Sequence, residues 1–237
     1  MGRSLVHPAT AATSGQPGLP ARAKDVIKAL TPLLSEERVA RIDEVVSKRI
    51  RSVVVVLEEM NDPYNASAVL RSAEAFGIQE VHFIERVPRF AVSGGVTQGS
   101  DRWLDIVRHD SAQSCVGHLH SRGYRVFVAD GRAPMFTPLD RLVSSDKVAV
   151  VFGNEHAGAS AVIRALADGV TAVPMRGFVE SLNLSVAVAV TLHSLTAHRS
   201  GDLRPKEAEL LRARYMCLSV RDAEAIVHEC LSRVTPQ

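Results

Sequence analysis

Three short stretches of this chain combine small polar side chains, glycine and isolated charges in a way that packing alone does not require. They are N-D-P-Y-N-A-S-A-V-L-R from Asn61 to Arg71, V-F-G-N-E-H-A-G from Val151 to Gly158, and V-P-M-R-G-F-V-E-S-L-N-L-S-V-A-V-A-V from Val173 to Val190. In the third, a turn on Pro174 and Gly177 leads through Ser181-Leu182-Asn183 directly into an apolar helix. Backbone donors and short polar side chains at the mouth of a buried helix can hold a small polar ligand. Asn, Glu, Ser and Gly are poor packing material at strand ends and useful hydrogen-bonding groups. Arg71 adds a donor fork that matches phosphate, and Ser67, Ala68 and Ala75 on its helix face leave room for an anion. On that helix alone, Arg71 reads first as a solvated side chain.

Other chemistries lack their residues. Gly153 and Gly158 have P-loop spacing, but Ala159 and Ser160 follow where Lys and Ser/Thr are needed, so nucleotide hydrolysis is excluded. No G-x-G-x-x-G follows the first strand, and no G-x-S-x-G is present. His118 and His120 form an H-x-H without further ligands nearby in sequence and read as two exposed helix histidines. Cys115, Cys217 and Cys230 are far apart, which argues against structural zinc and a disulfide framework, so no metal is expected. A net charge of +2 announces no global basic field. The longest apolar run, Val186 to Leu195, is about half of the ~20 residues a bilayer needs, so no membrane partner is expected. With 46% hydrophobic and 23% charged residues, the chain reads as a cytoplasmic enzyme with one full-sized core.

The positioning elements follow from periodicity. Ser52 to Leu57 is a β-branched run suited to a strand buried on both faces. Further strands are expected at Glu80–Ile84, Tyr124–Val128, Lys147–Phe152 and Val170–Val173. Helices between them are expected at Asn65–Phe76 (closed by Gly77), Ala112–Ser121 and Ala159–Ala167. This alternation predicts an α/β fold with a mostly parallel sheet and helices on both faces. Ser35–Arg51 reads as an amphipathic helix, and Ser181–His198 and roughly Lys206–Ser232 as terminal helices. Residues 1–30 read as a disordered N-terminal tail and 31–237 as the folded domain; Arg3, Arg22 and the lack of acids before Asp25 faintly suggest a transit peptide, against which the prolines argue.

The three polar segments, in this order, resemble the signature motifs of the SPOUT superfamily of RNA methyltransferases. They are closest to the TrmH-type tRNA ribose 2'-O-methyltransferases. The similarity runs through N-A-S-A-V-L-R-S-A-E-A-F-G, F-G-N-E-H-A-G and V-P-M-R-G-F-V-E-S-L-N-L-S-V-A, with G-S-D-R-W between the first two, and spans roughly residue 33 to the end. It implies a SPOUT fold with a deep C-terminal trefoil knot, S-adenosyl-L-methionine as cofactor, and a homodimer.

By the same resemblance Arg71 is the catalytic arginine. Asn65, Glu155, Ser181 and Asn183 bind or orient substrate, and Ala129, Gly153, Val173, Met175 and Leu182 hold the cofactor, mostly through backbone. Ala129 departs from a more polar residue common there, and Glu180 from a glutamine. The implied reaction is methyl transfer to a ribose 2'-hydroxyl, that of guanosine 18 in the tRNA D-loop. The alternatives are ribosomal RNA, the tRNA wobble position, or a knotted RNA-binding module without catalysis. Basic helices at both ends are expected to meet the tRNA backbone through Arg38, Arg41, Lys48, Arg49 and Arg51 on one side, and through Arg204, Lys206, Arg212, Arg214 and Arg221 on the other.

Overall fold

The computed structural model describes residues 22–85, 99–155 and 157–234. Its elements run α1 (Ala23–Leu30), α2 (Glu36–Ser47), β1 (Val53–Glu58), α3 (Pro63–Ala75), β2 (Glu80–Ile84), β3 (Asp105–His109), α4 (Ala112–Ser121), β4 (Arg125–Ala129), β5 (Thr137–Pro138), α5 (Leu139–Val143), β6 (Val148–Phe152), α6 (Ala161–Leu166), β7 (Gly169–Ala172), α7 (Leu184–Thr196), α8 (Pro205–Cys217) and α9 (Ala223–Val234).

The strands form one parallel sheet of seven in the order β3-β2-β1-β6-β4-β7-β5. β1 and β6 pair at its heart from Val53↔Val148 to Leu57↔Phe152, and all six residues of β1 are buried. Successive side chains point to opposite faces, so β1 feeds two cores. Val53, Val55 and Leu57 join the cluster that includes Val69 and Leu70 of α3 and Val188 and Leu192 of α7. Val54 and Val56 join Val116 and Leu119 of α4 and Ile163 of α6. Burying each such side chain contributes about 1.5–3 kcal/mol.

Two strands escaped the periodicity. β3 reads D-I-V-R-H, with charged residues that pair with neighbouring side chains, and β5 has only two residues. The expected tail also ends too late. Residues 23–30 form α1, which buries Ala23, Val26 and Leu30 against α8 and α9; residues 1–21 lie outside the described part. Gly77 closes α3 as expected, at φ +76°, and a Cβ there would meet the Lys48 carbonyl oxygen at 2.9 Å.

α1, α2, α8 and α9 make a third cluster beside the sheet. Here several expected RNA contacts prove to be architectural. Arg49 is 1% exposed; it donates to Glu74 Oε1 at 3.0 Å and to the Glu74 and Ile78 carbonyls at 3.3 Å. A side chain so enclosed cannot meet a phosphate, which removes it from the expected RNA face. Arg51 binds Glu80 and Asp105 at 3.0 and 2.7 Å, and Arg214 binds Asp105 at 2.5 Å. Both are half-buried ties between the sheet edge and the helical cluster, not a free basic surface. Arg212 is held by Asp43 on α2. Arg38, Arg41 and Lys48 remain exposed. Arg38 bonds Ser219, and the other two pair with Glu44. Among the described residues, no helix is long and apolar enough to cross a membrane.

Candidate active site

The carboxyl ends of β1, β6, β4 and β7 lie side by side, and in a parallel sheet that edge is where ligands bind. Each tip is shaped by local bonds. Asp62 caps α3 by accepting from the Tyr64 N–H at 2.8 Å, with Pro63 at the first helical position, where a missing donor does no harm. The buried Glu58 carboxylate, at the tip of β1, accepts from the Ser160 N–H at 2.8 Å and from its hydroxyl at 2.6 Å. Ser160 in turn caps α6. Asn154 donates to the Glu59 carbonyl at 2.9 Å, and its own backbone exchanges two hydrogen bonds with Gly158. The loop after β6 is thereby folded tightly onto the end of β1. Gly153 lies at the crossing, where a Cβ would sit 2.1 Å from the Ala159 nitrogen.

These tips enclose a cavity of about 420 Å³, within the ~300–1,000 Å³ usual for small-molecule sites. Its walls bring the three polar segments together. Asn65 of α3 donates to Glu155 Oε1 at 3.3 Å and accepts from Asn183 Nδ2 at 3.3 Å. Asn183 also caps α7, accepting from the Ser185 N–H at 2.9 Å and from its hydroxyl at 2.6 Å. One bridging asparagine thus joins segments about 90 and 118 residues away in sequence. Glu155 Oε2 is enclosed and has no partner among the described residues. A buried carboxylate oxygen left open is costly unless a ligand donor completes it.

All nine expected cofactor and substrate residues apart from Arg71 line this cavity: Asn65, Ala129, Gly153, Glu155, Val173, Met175, Ser181, Leu182 and Asn183. Arg71 does not line it and is exposed on α3. Asp130, Arg132 and Arg164 also line it and were missed. Asp130 accepts from the Arg132 N–H at 3.0 Å and from Arg164 at 2.7 Å. Burial pushes its carboxyl pKa up, but these two donors outweigh that and hold it below its ordinary value. The position of Asp130 one residue beyond a strand end was the available signal.

Residues 52–193 match the model of the SpoU rRNA Methylase family, more than half of the sequence. The chain belongs to the SpoU methylase family. A Borreliella burgdorferi protein named tRNA (guanosine(18)-2'-O)-methyltransferase is 36% identical over 174 residues, covering 72% of this chain and 79% of that protein. The crystal structure of an A. aeolicus TrmH/SpoU tRNA modifying enzyme superposes with a TM-score of 0.69 at 26% identity, covering 79% of this chain and 98% of the other. The SpoU methyltransferase AviRb of Streptomyces viridochromogenes, crystallised with AdoMet, shares the fold at a TM-score of 0.56 and 23% identity, over 65% of this chain and 60% of its own. For this SpoU-family chain, the cavity at the strand tips suits such a ligand. It offers backbone at Gly153, Val173 and Leu182, an open carboxylate oxygen at Glu155, and acids at Asp130 and Glu180 near which a sulfonium charge is favourable.

Proposed function

We propose that this protein transfers a methyl group to a ribose 2'-hydroxyl of tRNA, that of guanosine 18. The observation that carries this reading is the Asn65 bridge, which ties Glu155 and Asn183 together at the mouth of the strand-tip cavity. In this reading Ala129, Gly153, Val173, Met175 and Leu182 cradle S-adenosyl-L-methionine. Bound there, the cofactor supplies an electrophilic methyl group on a positively charged sulfur. Asn65, Ser181 and Asn183 orient the ribose, and positioning of this kind can lower a barrier by several kcal/mol. A guanidinium stays protonated and is a poor base. Arg71 therefore grips the adjacent phosphate and stabilises charge developing on the 2'-oxygen, while the hydroxyl proton leaves to phosphate or water.

Arg71 is exposed and outside the cavity lining, which supports a site completed by a second copy of the chain. Phe178, Val179, Val186 and Val190 are exposed apolar side chains beside the cavity, at 106%, 64%, 47% and 38%, and suit that homodimer. The trefoil knot implied by the motifs belongs to the same proposal. The test is methyl incorporation from labelled cofactor into tRNA, followed by nuclease digestion and mass spectrometry. A 2'-O-methylguanosine from position 18 is expected, and its loss in tRNA carrying 2'-deoxyguanosine there. Methylation confined to ribosomal RNA or to the wobble nucleotide would overturn the substrate, and none on any RNA would overturn the activity.

A further inference from the structure

The sheet face beneath α4 holds a second group of chemistry-bearing side chains, remote from the strand-tip cavity. The register of β2 and β3 pairs His82 with Val107 and Ile84 with His109, so both imidazoles stand on one face. Cys115 and His118, one turn apart on α4, descend on them. The His82 and His109 rings stack with centroids 5.0 Å apart, and the His118 ring lies 5.7 and 5.5 Å from the two. Donor atoms of His82, His109 and Cys115 fall within 4.8 Å of one another, and all three residues are buried. The expectation of two exposed helix histidines is therefore corrected. His120 is exposed and pairs with Asp168 at 3.0 Å, whereas His118 is half-buried against the strand histidines.

The hydrogen bonds fix which atoms face inward. Glu80 binds Arg51 and Arg122, which keep it ionised, and its Oε1 lies 2.6 Å from His82 Nε2. His82 therefore carries its proton on Nε2 and turns the Nδ1 lone pair toward His109 Nε2, 2.8 Å away. A histidine whose outer N–H is held by a carboxylate is the usual arrangement of a metal-binding imidazole.

We propose that His82 Nδ1, His109 Nε2 and Cys115 Sγ bind a zinc-class transition-metal ion, with the fourth position left to water, and that this ion staples β2 and β3 to α4. Two nitrogens and a thiolate are a donor set that zinc favours. In a tetrahedral site with Zn–N near 2.0–2.1 Å, the nitrogens stand roughly 3.3 Å apart, so the two rings must part by about half an ångström. On binding, the Cys115 thiol loses its proton to solvent and His109 moves its proton from Nε2 to Nδ1, so one proton is released per ion. Glu80, His82 and His118 form an alternative triad, but the Glu80 oxygens are already taken by Arg51, Arg122 and His82.

The test is a cobalt(II) titration of the untagged full-length protein after removal of metal with a chelator. One equivalent is expected to produce the intense d–d bands of a tetrahedral site with a thiolate-to-cobalt charge-transfer band, and zinc is expected to displace it. Cys115→Ser removes the charge-transfer band, and His109→Asn weakens cobalt binding at least ~100-fold, while methyl transfer by both variants stays near that of the parent. Weak octahedral bands, or binding far below one equivalent by the parent protein, overturn the proposal without relying on any variant. Persistence of the charge-transfer band in Cys115→Ser assigns it to Cys217 or Cys230 and also overturns it.

Discussion

The strand-tip cavity and the seam between the sheet and the helical cluster beside it both carry polar residues, yet their carboxylates are satisfied differently. Around the cavity, Asn65 meets Glu155 and Asn183 at 3.3 Å each, and Glu155 Oε2 is left open. At the start of β2 and β3, Arg51, Arg122 and Arg214 fill Glu80 and Asp105 with contacts of 3.0 Å or less, and Arg49 is enclosed against Glu74 and two carbonyls, with the Nε atoms of Arg49 and Arg51 left outside these bonds. The two regions differ in the state of their carboxylates: Glu155 keeps an oxygen open at the cavity, whereas Glu80 and Asp105 are filled by guanidinium groups that tie the fold together. The distinction separates arginines that the sequence alone placed in one class.

The largest effect expected from this contrast is structural. Arg49→Ala removes a fully enclosed cation and strands the Glu74 carboxylate and two carbonyls, at about 3–5 kcal/mol. A Tm lowered by roughly 6–20 °C follows for a chain of this size. A calorimetric Tm within a degree of the parent would show that Arg49 is not structural. Next in size is Arg71→Ala, which leaves Tm unchanged and lowers kcat by about 10²–10³, the usual effect of deleting a donor to developing negative charge. Arg71→Lys keeps the charge and loses the fork. Near-normal turnover by that variant would eliminate bidentate phosphate binding.

Much of the fold and site was legible because β-branched runs and their polar terminators are local signals. β1, β2, β4, β6 and β7, α4 and the three polar segments were all anticipated within a few residues. What was hidden depends on partners distant in sequence. β3 hides because its Asp105 and Arg108 are matched by Arg51, Arg214 and Glu85, residues 23 to 109 positions away. The burial of Arg49 depends on α3 and on the Tyr215 ring, 5.6 Å from its guanidinium, and the helical pattern of Ser35–Arg51 carries no trace of either. The histidine cluster needed the β2–β3 register, which local periodicity does not contain.

A smaller effect is expected from pH, again on the closed side of the comparison. Burial, then the nearby His82 and His118, lowers the His109 pKa to about 4, against weaker opposing pulls from Asp110 and Glu80. The unfolded chain binds a proton at His109 below pH ~6.5 while the folded chain does not until about 4, so stability rises with pH across that window. Burial pushes Glu80 up, but hydrogen bonds from His82 and Arg122 overcome it and hold the carboxyl far below its ordinary range. Below pH ~4.5 it therefore adds a loss of the same sign. For chelator-treated protein the expected loss from pH 7 to 4.5 is about 1–3 kcal/mol, read by urea unfolding, with His109→Asn flattening the upper part of the curve. Equal stability at both ends would mean that the cluster charges freely inside the fold.

The smallest effect tests the open side of the same contrast, the basic residues that the fold leaves available. Arg38, Arg41 and Lys48 are exposed along the length of α2, from its first turn to its C-cap, and the hydrogen bonds and ion pairs they make go to a serine hydroxyl and a single carboxylate, Glu44. Arg41 and Lys48 each take one oxygen of that one acid, so the three groups together carry a net positive charge that a phosphate can neutralise. Replacing all three by alanine is expected to leave Tm and S-adenosyl-L-methionine affinity nearly unchanged. It should reduce the slope of log tRNA affinity against log salt by about 2–3, since each lost phosphate contact changes it by roughly 0.7–0.9. The matched comparison is Arg212→Ala, whose charge is already spent on Asp43 and which should leave the slope unaltered. If the two variants shift the slope equally, intramolecular pairing does not decide which arginines reach RNA. The basic face would then have to be sought nearer the cavity, at Arg132 and Arg176.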